Sequence, residues 1–203
     1  MRVNTILFIV LPKKIGGLNM SKNGPKKEVI KFIICFAVYF VMILITQLPG
    51  FASPLYWSIF PIFTAFVTAG PLTCVMSMKR GILSTAILPL LWFAVYRCIG
   101  ELSMPFMWIW IFAVIIIGEI VRAIIGYDKL LSIRVCVPII GLVPLGNIFP
   151  LFFQKSEFLT KAAEEMDAEY IAGLDKYGTV WMFVIVVVLA LVLAVISERI
   201  SEK

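Results

Sequence analysis

Between residues 30 and 200 the chain alternates long apolar runs with short polar connectors, and few folds accept that pattern. A helix needs roughly 20 apolar residues to cross about 30 Å of hydrocarbon, because it rises about 1.5 Å per residue. Read in windows of about 19 residues, six runs qualify: 30–48, 55–78, 81–99, 105–125, 131–153 and 180–200. Lipid offers no partner to backbone N–H and C=O groups, so such runs must satisfy them internally, as helices do. The expected fold is an all-α integral membrane protein of six transmembrane helices. It forms a single domain over 30–201, preceded by a cytoplasmic segment, 1–29.

Composition agrees. Hydrophobic residues make up 62% of the 203 residues and charged ones 15%, with a mean hydropathy of +1.03, whereas soluble domains carry about a quarter charged residues. The apolar stretch 6–11 is too short to span, and no small-residue cleavage site follows it. Met20 opens a second plausible start, so the residues before it read as an upstream extension or an interfacial segment.

Lysine and arginine sort by connector rather than onto one basic face, which argues for topology and against nucleic acid as a partner. With the N-terminus inside, 14 of the 18 fall on the inner side and only Arg97, Lys155, Lys161 and Lys176 on the outer. Both termini are thus expected in the cytoplasm, in a multi-pass protein of the cell membrane.

The chain has no histidine, and with it go the commonest general base, zinc ligand and haem ligand. Cys35, Cys74, Cys98 and Cys136 lie singly in different runs, as packing residues do. Glu164 and Glu165 have the look of the paired glutamates of intramembrane proteases, but those enzymes also need histidines. The pair reads as the solvated face of a helix. No catalytic, metal or cofactor site is expected, and no enzyme activity.

Four features bear on function. The fifth run carries Pro138, Pro144 and Pro150 with Gly141, Gly146 and Asn147 between them; broken backbone at membrane depth is tolerated where it is buried in protein or lines a cavity. In the polar stretch 155–176, Phe158, Ala162, Met166, Tyr170 and Leu174 recur every fourth residue, the stripe of an amphipathic helix. Trp57, Trp92, Trp108, Trp110 and Trp181 all fall in the outer half, where a lipid belt would place aromatics at both interfaces. Glu119 and Arg122 share a face near the inner end of the fourth run, where they either snorkel, pair with each other or serve a function. Together the first three place an aromatic pocket at the outer end, lined by Trp57, Tyr96, Trp108, Asn147, Gln154, Tyr170 and Trp181, with the amphipathic segment as its cover. Thr179 is placed to cap the sixth helix.

The segments GEIVRAIIGY (118–127), IFPLFFQ (148–154) and DAEYIAGLDKYGTVWM (167–182), set among six runs in about 180 residues, resemble the MptD, or Trep_Strep, family. That family is classed among the substrate-binding S components of energy-coupling factor (ECF) transporters. The resemblance covers 27–201 and implies capture of a vitamin-like or other micronutrient, haem or an aromatic compound among them, from outside. It implies as partners a transmembrane coupling subunit and two cytoplasmic ATPases. The sequence agrees in having no G-x-x-x-x-G-K-[ST] phosphate loop of its own. The family's first helix docks on the coupling subunit through small residues four apart; Ala37 fits one position, while Ile33 stands where glycine is usual. The alternative is a stand-alone secondary transporter or channel for a small solute, which would want ionisable residues near the bilayer midplane.

Overall fold

The computed structural model describes residues 25–78, 83–99 and 104–201. The N-terminal run 6–11, the Met20 start and the Lys79-Arg80 turn lie outside them. Helix α1 (Pro25–Gln47) leads through a 3-10 turn, Leu48–Ala52, into α2 (Pro54–Ser77), and α3 (Leu83–Ile99) and α4 (Pro105–Ile125) follow. The fifth run is divided into α5 (Leu130–Ile140), a 3-10 stretch, Val143–Asn147, and α6 (Phe149–Phe153). Then come α7 (Lys155–Ala162), α8 (Ala168–Tyr177) and α9 (Val180–Ser201). Among the described residues there is no strand.

Five segments are long and apolar enough to cross a membrane: Lys27–Ala52, Pro54–Ser77, Pro105–Ile125, Leu130–Asn147 and Val180–Ile200. The third run forms a shorter apolar helix, Ser84–Tyr96 within α3, whose 17 residues cover about 25 Å against about 30 Å of hydrocarbon. The chain is an all-α integral membrane protein with five described segments of spanning length.

Helix α2 and the broken fifth segment run through the middle of the bundle, with α1, α4 and α9 around them. The outer faces of these three carry Ile33, Val41, Ile45, Ile116, Ile124, Val188 and Val192 exposed, surface that lipid covers at no cost and water would not. Small residues set the closest approaches: Ala65 of α2 meets Ala190 and Ala194 of α9 in one buried cluster. On α4, Gly118 leaves room for Ile140 of α5, whose Cδ1 lies 2.6 Å from where a Cβ would stand.

Helix α2 continues through Pro61 and Pro71, each of which removes an N–H and leaves a carbonyl in apolar surroundings short of its partner. Buried hydroxyls line the same helix. Thr64 donates to the Phe60 carbonyl (3.0 Å), Thr68 to that of Thr64 (2.7 Å), and Thr46 of α1 meets Thr64 at 2.7 Å. That last bond ties α1 to α2 where neither side chain has water as an alternative.

The proline series decides how the fifth segment breaks. Pro144 opens the 3-10 stretch and Pro150 opens α6, first-turn positions where a missing N–H is harmless. The stretch expected as one amphipathic helix over 155–176 is two, α7 and α8, separated by a turn at 163–167. Asp167 causes the restart: its carboxylate accepts from the Tyr170 N–H at 2.7 Å, an N-cap that begins a new helix. Thr179 caps α9 as expected, accepting from the Met182 N–H at 3.2 Å.

Candidate functional site

The α1–α2 turn is the floor on which one end of the bundle is assembled. Ser53 accepts from the Tyr56 N–H (3.3 Å) and Pro54 occupies the first turn, so α2 starts sharply. That start lays Trp57 across Gly50, where a Cβ would stand 2.6 Å from the indole Cε3. Phe51 and Phe60 flank the indole at 5.4 and 5.6 Å between ring centroids.

The α7–α8 pair packs onto this floor. Phe158, Ala162, Tyr170 and Leu174 of the every-fourth stripe are buried and Met166 is half-buried, so the apolar face covers the protein's own end. The Tyr170 hydroxyl donates to the Gly50 carbonyl. Gly173 rests on the Pro54 ring with no space for a side chain. Lys155 reaches across the pair to the carbonyl and the carboxylate of Asp175, each at 2.6 Å. Glu164, Glu165 and Glu169 face solvent.

Beneath the pair lies the broken segment. The Trp110 Nε1–H donates to the Leu142 carbonyl at 2.9 Å, a second donor to an acceptor that the Leu145 N–H also meets at 3.1 Å. Its ring stacks on Phe149 (4.8 Å), which stacks on Phe153 (4.6 Å), and Phe183 closes on all three edge-on. Asn147 is 4% exposed and its Nδ2 has no partner. The Gln154 Oε1 is buried and unpartnered as well. A donor and an acceptor, both unmet, thus lie seven residues apart, one in the broken segment and one at the junction with α7.

Among the pocket residues expected from sequence, Trp57, Asn147, Gln154 and Tyr170 come to this end. Tyr96 is half-buried where the two large apolar clusters meet, 5.2 Å from Trp92. Trp108 leans away, edge-on to Phe93 at 3.8 Å and stacked toward Phe112. Trp181 is a correction: it is 80% exposed, on the outer face of α9, and lines no pocket. Trp92, which sequence alone could equally have turned to lipid, is fully buried. Ile33 and Ala37 both lie exposed on α1. All four cysteines are free, and among the described residues no group of three or more metal-ligating side chains converges.

A family model described as "Hypothetical bacterial integral membrane protein (Trep_Strep)" matches residues 26–203. The chain belongs to the Trep_Strep family. Neither a curated protein nor a solved structure matches it.

The opposite end of this Trep_Strep protein holds a second polar group. Arg122 is fully buried; its guanidinium donates to the Met76 carbonyl (2.7 Å), Thr85 Oγ1 (3.1 Å) and the Tyr127 carbonyl (3.5 Å), with its Cζ 5.4 Å from the Tyr127 ring centroid. The sequence expectation that Arg122 snorkels or pairs with Glu119 is corrected on both counts. Glu119 accepts instead from the Tyr127 hydroxyl at 3.2 Å. Buried charge demands a full set of partners, and Arg122 finds them on three elements. The sequence carried no signal of this burial, because Met76 and Thr85 come from two other helices. Trp110 was likewise named only as one of five tryptophans; its role depends on where the fifth segment breaks.

Proposed function

We propose that this protein is the substrate-binding membrane subunit, the S component, of an ECF-type importer, with the Tyr170 end facing outward and both termini in the cytoplasm. The observation that carries the reading is the Asn147 amide: a buried donor without a partner, in a broken membrane segment whose Leu145 and Ile148 share one apolar cluster with Phe158, Tyr170 and Leu174 of the two-helix flap. An unmet buried donor costs about 1–3 kcal/mol, a cost that a bound solute removes. The lysine and arginine distribution of 14 to 4 supports the orientation. The family resemblance supports the assembly.

The cargo is a small micronutrient that an aromatic, charge-poor wall accepts: a vitamin-like solute, haem or an aromatic compound. ATP is hydrolysed by two partner subunits, and a membrane coupling subunit docks on the face of α1 that carries Ile33 and Ala37, both exposed.

The test has two stages. Purified protein in nanodiscs is screened by thermal shift and native mass spectrometry against vitamins, haem and amino acids; a ligand should raise the melting temperature in the wild type and not in Asn147→Leu. Uptake of that ligand is then measured in cells with and without coupling subunits and ATPases. Accumulation without them would overturn the reading in favour of a stand-alone transporter or channel.

A further inference from the structure

The Arg122 end has an arrangement that structural economy does not explain. Glu119 and Arg122 stand three residues apart on α4, a spacing at which opposite charges meet directly, and attraction between charges is strongest where water is excluded. Yet no hydrogen bond joins them. Arg122 Nε and Glu119 Oε1 are both buried and both without a partner. Each residue is held by a third one, Tyr127, whose carbonyl accepts from Arg122, whose ring lies beside the guanidinium, and whose hydroxyl donates to Glu119.

Tyr127 reaches that position through Gly126, which has φ +106°, a conformation that side chains disfavour, just past the end of α4. Burial, and then the neighbouring charge of Glu119, hold the Tyr127 phenol above its ordinary pKa, so it remains a donor at neutral pH. While Tyr127 occupies Glu119, the guanidinium turns to Met76 in the last turn of α2 and Thr85 in the first turn of α3. Three elements are then tied by one side chain.

We propose that Glu119, Arg122 and Tyr127 form a two-position clasp: with Tyr127 on Glu119, Arg122 locks α2 and α3 to α4, and with Tyr127 withdrawn, Glu119 takes Arg122 and releases them. The second position fills the two vacant hydrogen-bonding sites, Nε and Oε1, with each other. It requires only side-chain rotation on α4 and movement of a glycine-hinged connector. The clasp stands independently of the importer reading, since it follows from the contacts at this end alone.

Hydrogen–deuterium exchange on the full-length protein in nanodiscs tests it. Tyr127→Phe keeps the ring over Arg122 but frees Glu119, and should speed exchange about tenfold, on the scale of one lost charge-assisted hydrogen bond, in 72–78 and 83–88. Exchange in 147–177, at the other end, should not change. Adding Glu119→Gln removes the competitor for Arg122 and should return 72–78 and 83–88 to the wild-type rate, which a merely structural loss at Tyr127 would not do. Unaltered exchange in Tyr127→Phe, or a double variant as fast as the single one, would overturn the clasp. Both variants leave Arg122 in place, so the outcome does not depend on a fold that has lost its buried cation.

Discussion

The Tyr170 hydroxyl donates to the carbonyl of Gly50, a bond that spans 120 residues of chain and fastens the two-helix flap to the α1–α2 turn. The contact is dry on both sides, with Trp57 closing over Gly50 and Leu174 one turn beyond Tyr170. Tyr170→Phe keeps the ring and removes the donor, leaving the Gly50 carbonyl with the Ser53 N–H at 3.2 Å as its remaining partner. We expect a loss of about 0.5–1.5 kcal/mol in flap docking, the net worth of one hydrogen bond, read as faster hydrogen exchange in 155–177 with little change in α1 or α9. Gly173→Ala should act on the same segment by a different route, because the added methyl meets the rigid Pro54 ring; overpacking of this kind costs about 1–3 kcal/mol. Protection in 155–177 equal to wild type in both variants would show that the flap is held elsewhere.

The same bond gives the flap a pH dependence. Burial pushes the Tyr170 phenol from 10.0 up to about 12. The docked state raises this pKa above that of the free segment, so docking is at full strength below about pH 10. It weakens as pH rises through about 12, when the phenolate can no longer donate to a carbonyl. Absorbance of the phenolate should show a step near 12 that is absent in Tyr170→Phe. A difference spectrum stepping at the ordinary value would mean that Tyr170 is not buried in the protein in solution.

Two tryptophans on neighbouring helices should behave in opposite ways. Trp110→Phe preserves stacking on Phe149 and leaves the Leu142 carbonyl to the Leu145 N–H alone, and should lower unfolding stability by about 0.5–1.5 kcal/mol. Trp181, exposed at the start of α9, loses only a membrane contact when replaced by Ala; its effect on ligand affinity should stay within about 0.5 kcal/mol. A large loss of binding in Trp181→Ala would return that residue to the site. Urea titration in mild detergent for the first variant and isothermal titration for the second decide both.

Hydropathy made most of the bundle legible because bilayer thickness constrains sequence directly: Pro54 and Pro105 begin α2 and α4 where the apolar runs begin. The every-fourth stripe likewise placed Phe158, Tyr170 and Leu174 on a buried face. It did not reveal the restart at Asp167, since a stripe with period four continues unchanged across a short turn. The proline and glycine content marked the break around Asn147, but which carbonyls turn toward a neighbouring helix depends on 3-10 geometry, and so Trp110 could not be singled out. Tryptophan position along the chain fixed depth and left rotation about the helix axis open. Trp57 and Trp92 point inward, and Trp181, in the first turn of α9, points out. Arg122 was misplaced for a related reason: its partners Met76 and Thr85 come from two other helices and appear only once those helices are packed.

Asn147→Leu separates a binding role from a structural one. The amide Nδ2 is buried and unpartnered, so the ligand-free protein carries a desolvated donor that contributes nothing to its stability. Replacing it with an apolar side chain removes that cost, and the melting temperature of the ligand-free variant should hold or rise. A solute that accepts a hydrogen bond from Asn147 loses its partner in the same variant and should bind at least tenfold more weakly, roughly 1.4 kcal/mol. The two readouts therefore move in opposite directions, which a packing residue cannot produce, because damage to packing lowers stability and affinity together. Asn147→Asp makes a second comparison: it keeps the shape, replaces the donor with an acceptor and a charge, and should abolish binding of the same solute. A fall in melting temperature for Asn147→Leu with affinity unchanged would assign the amide to the fold and move the binding site away from the broken segment.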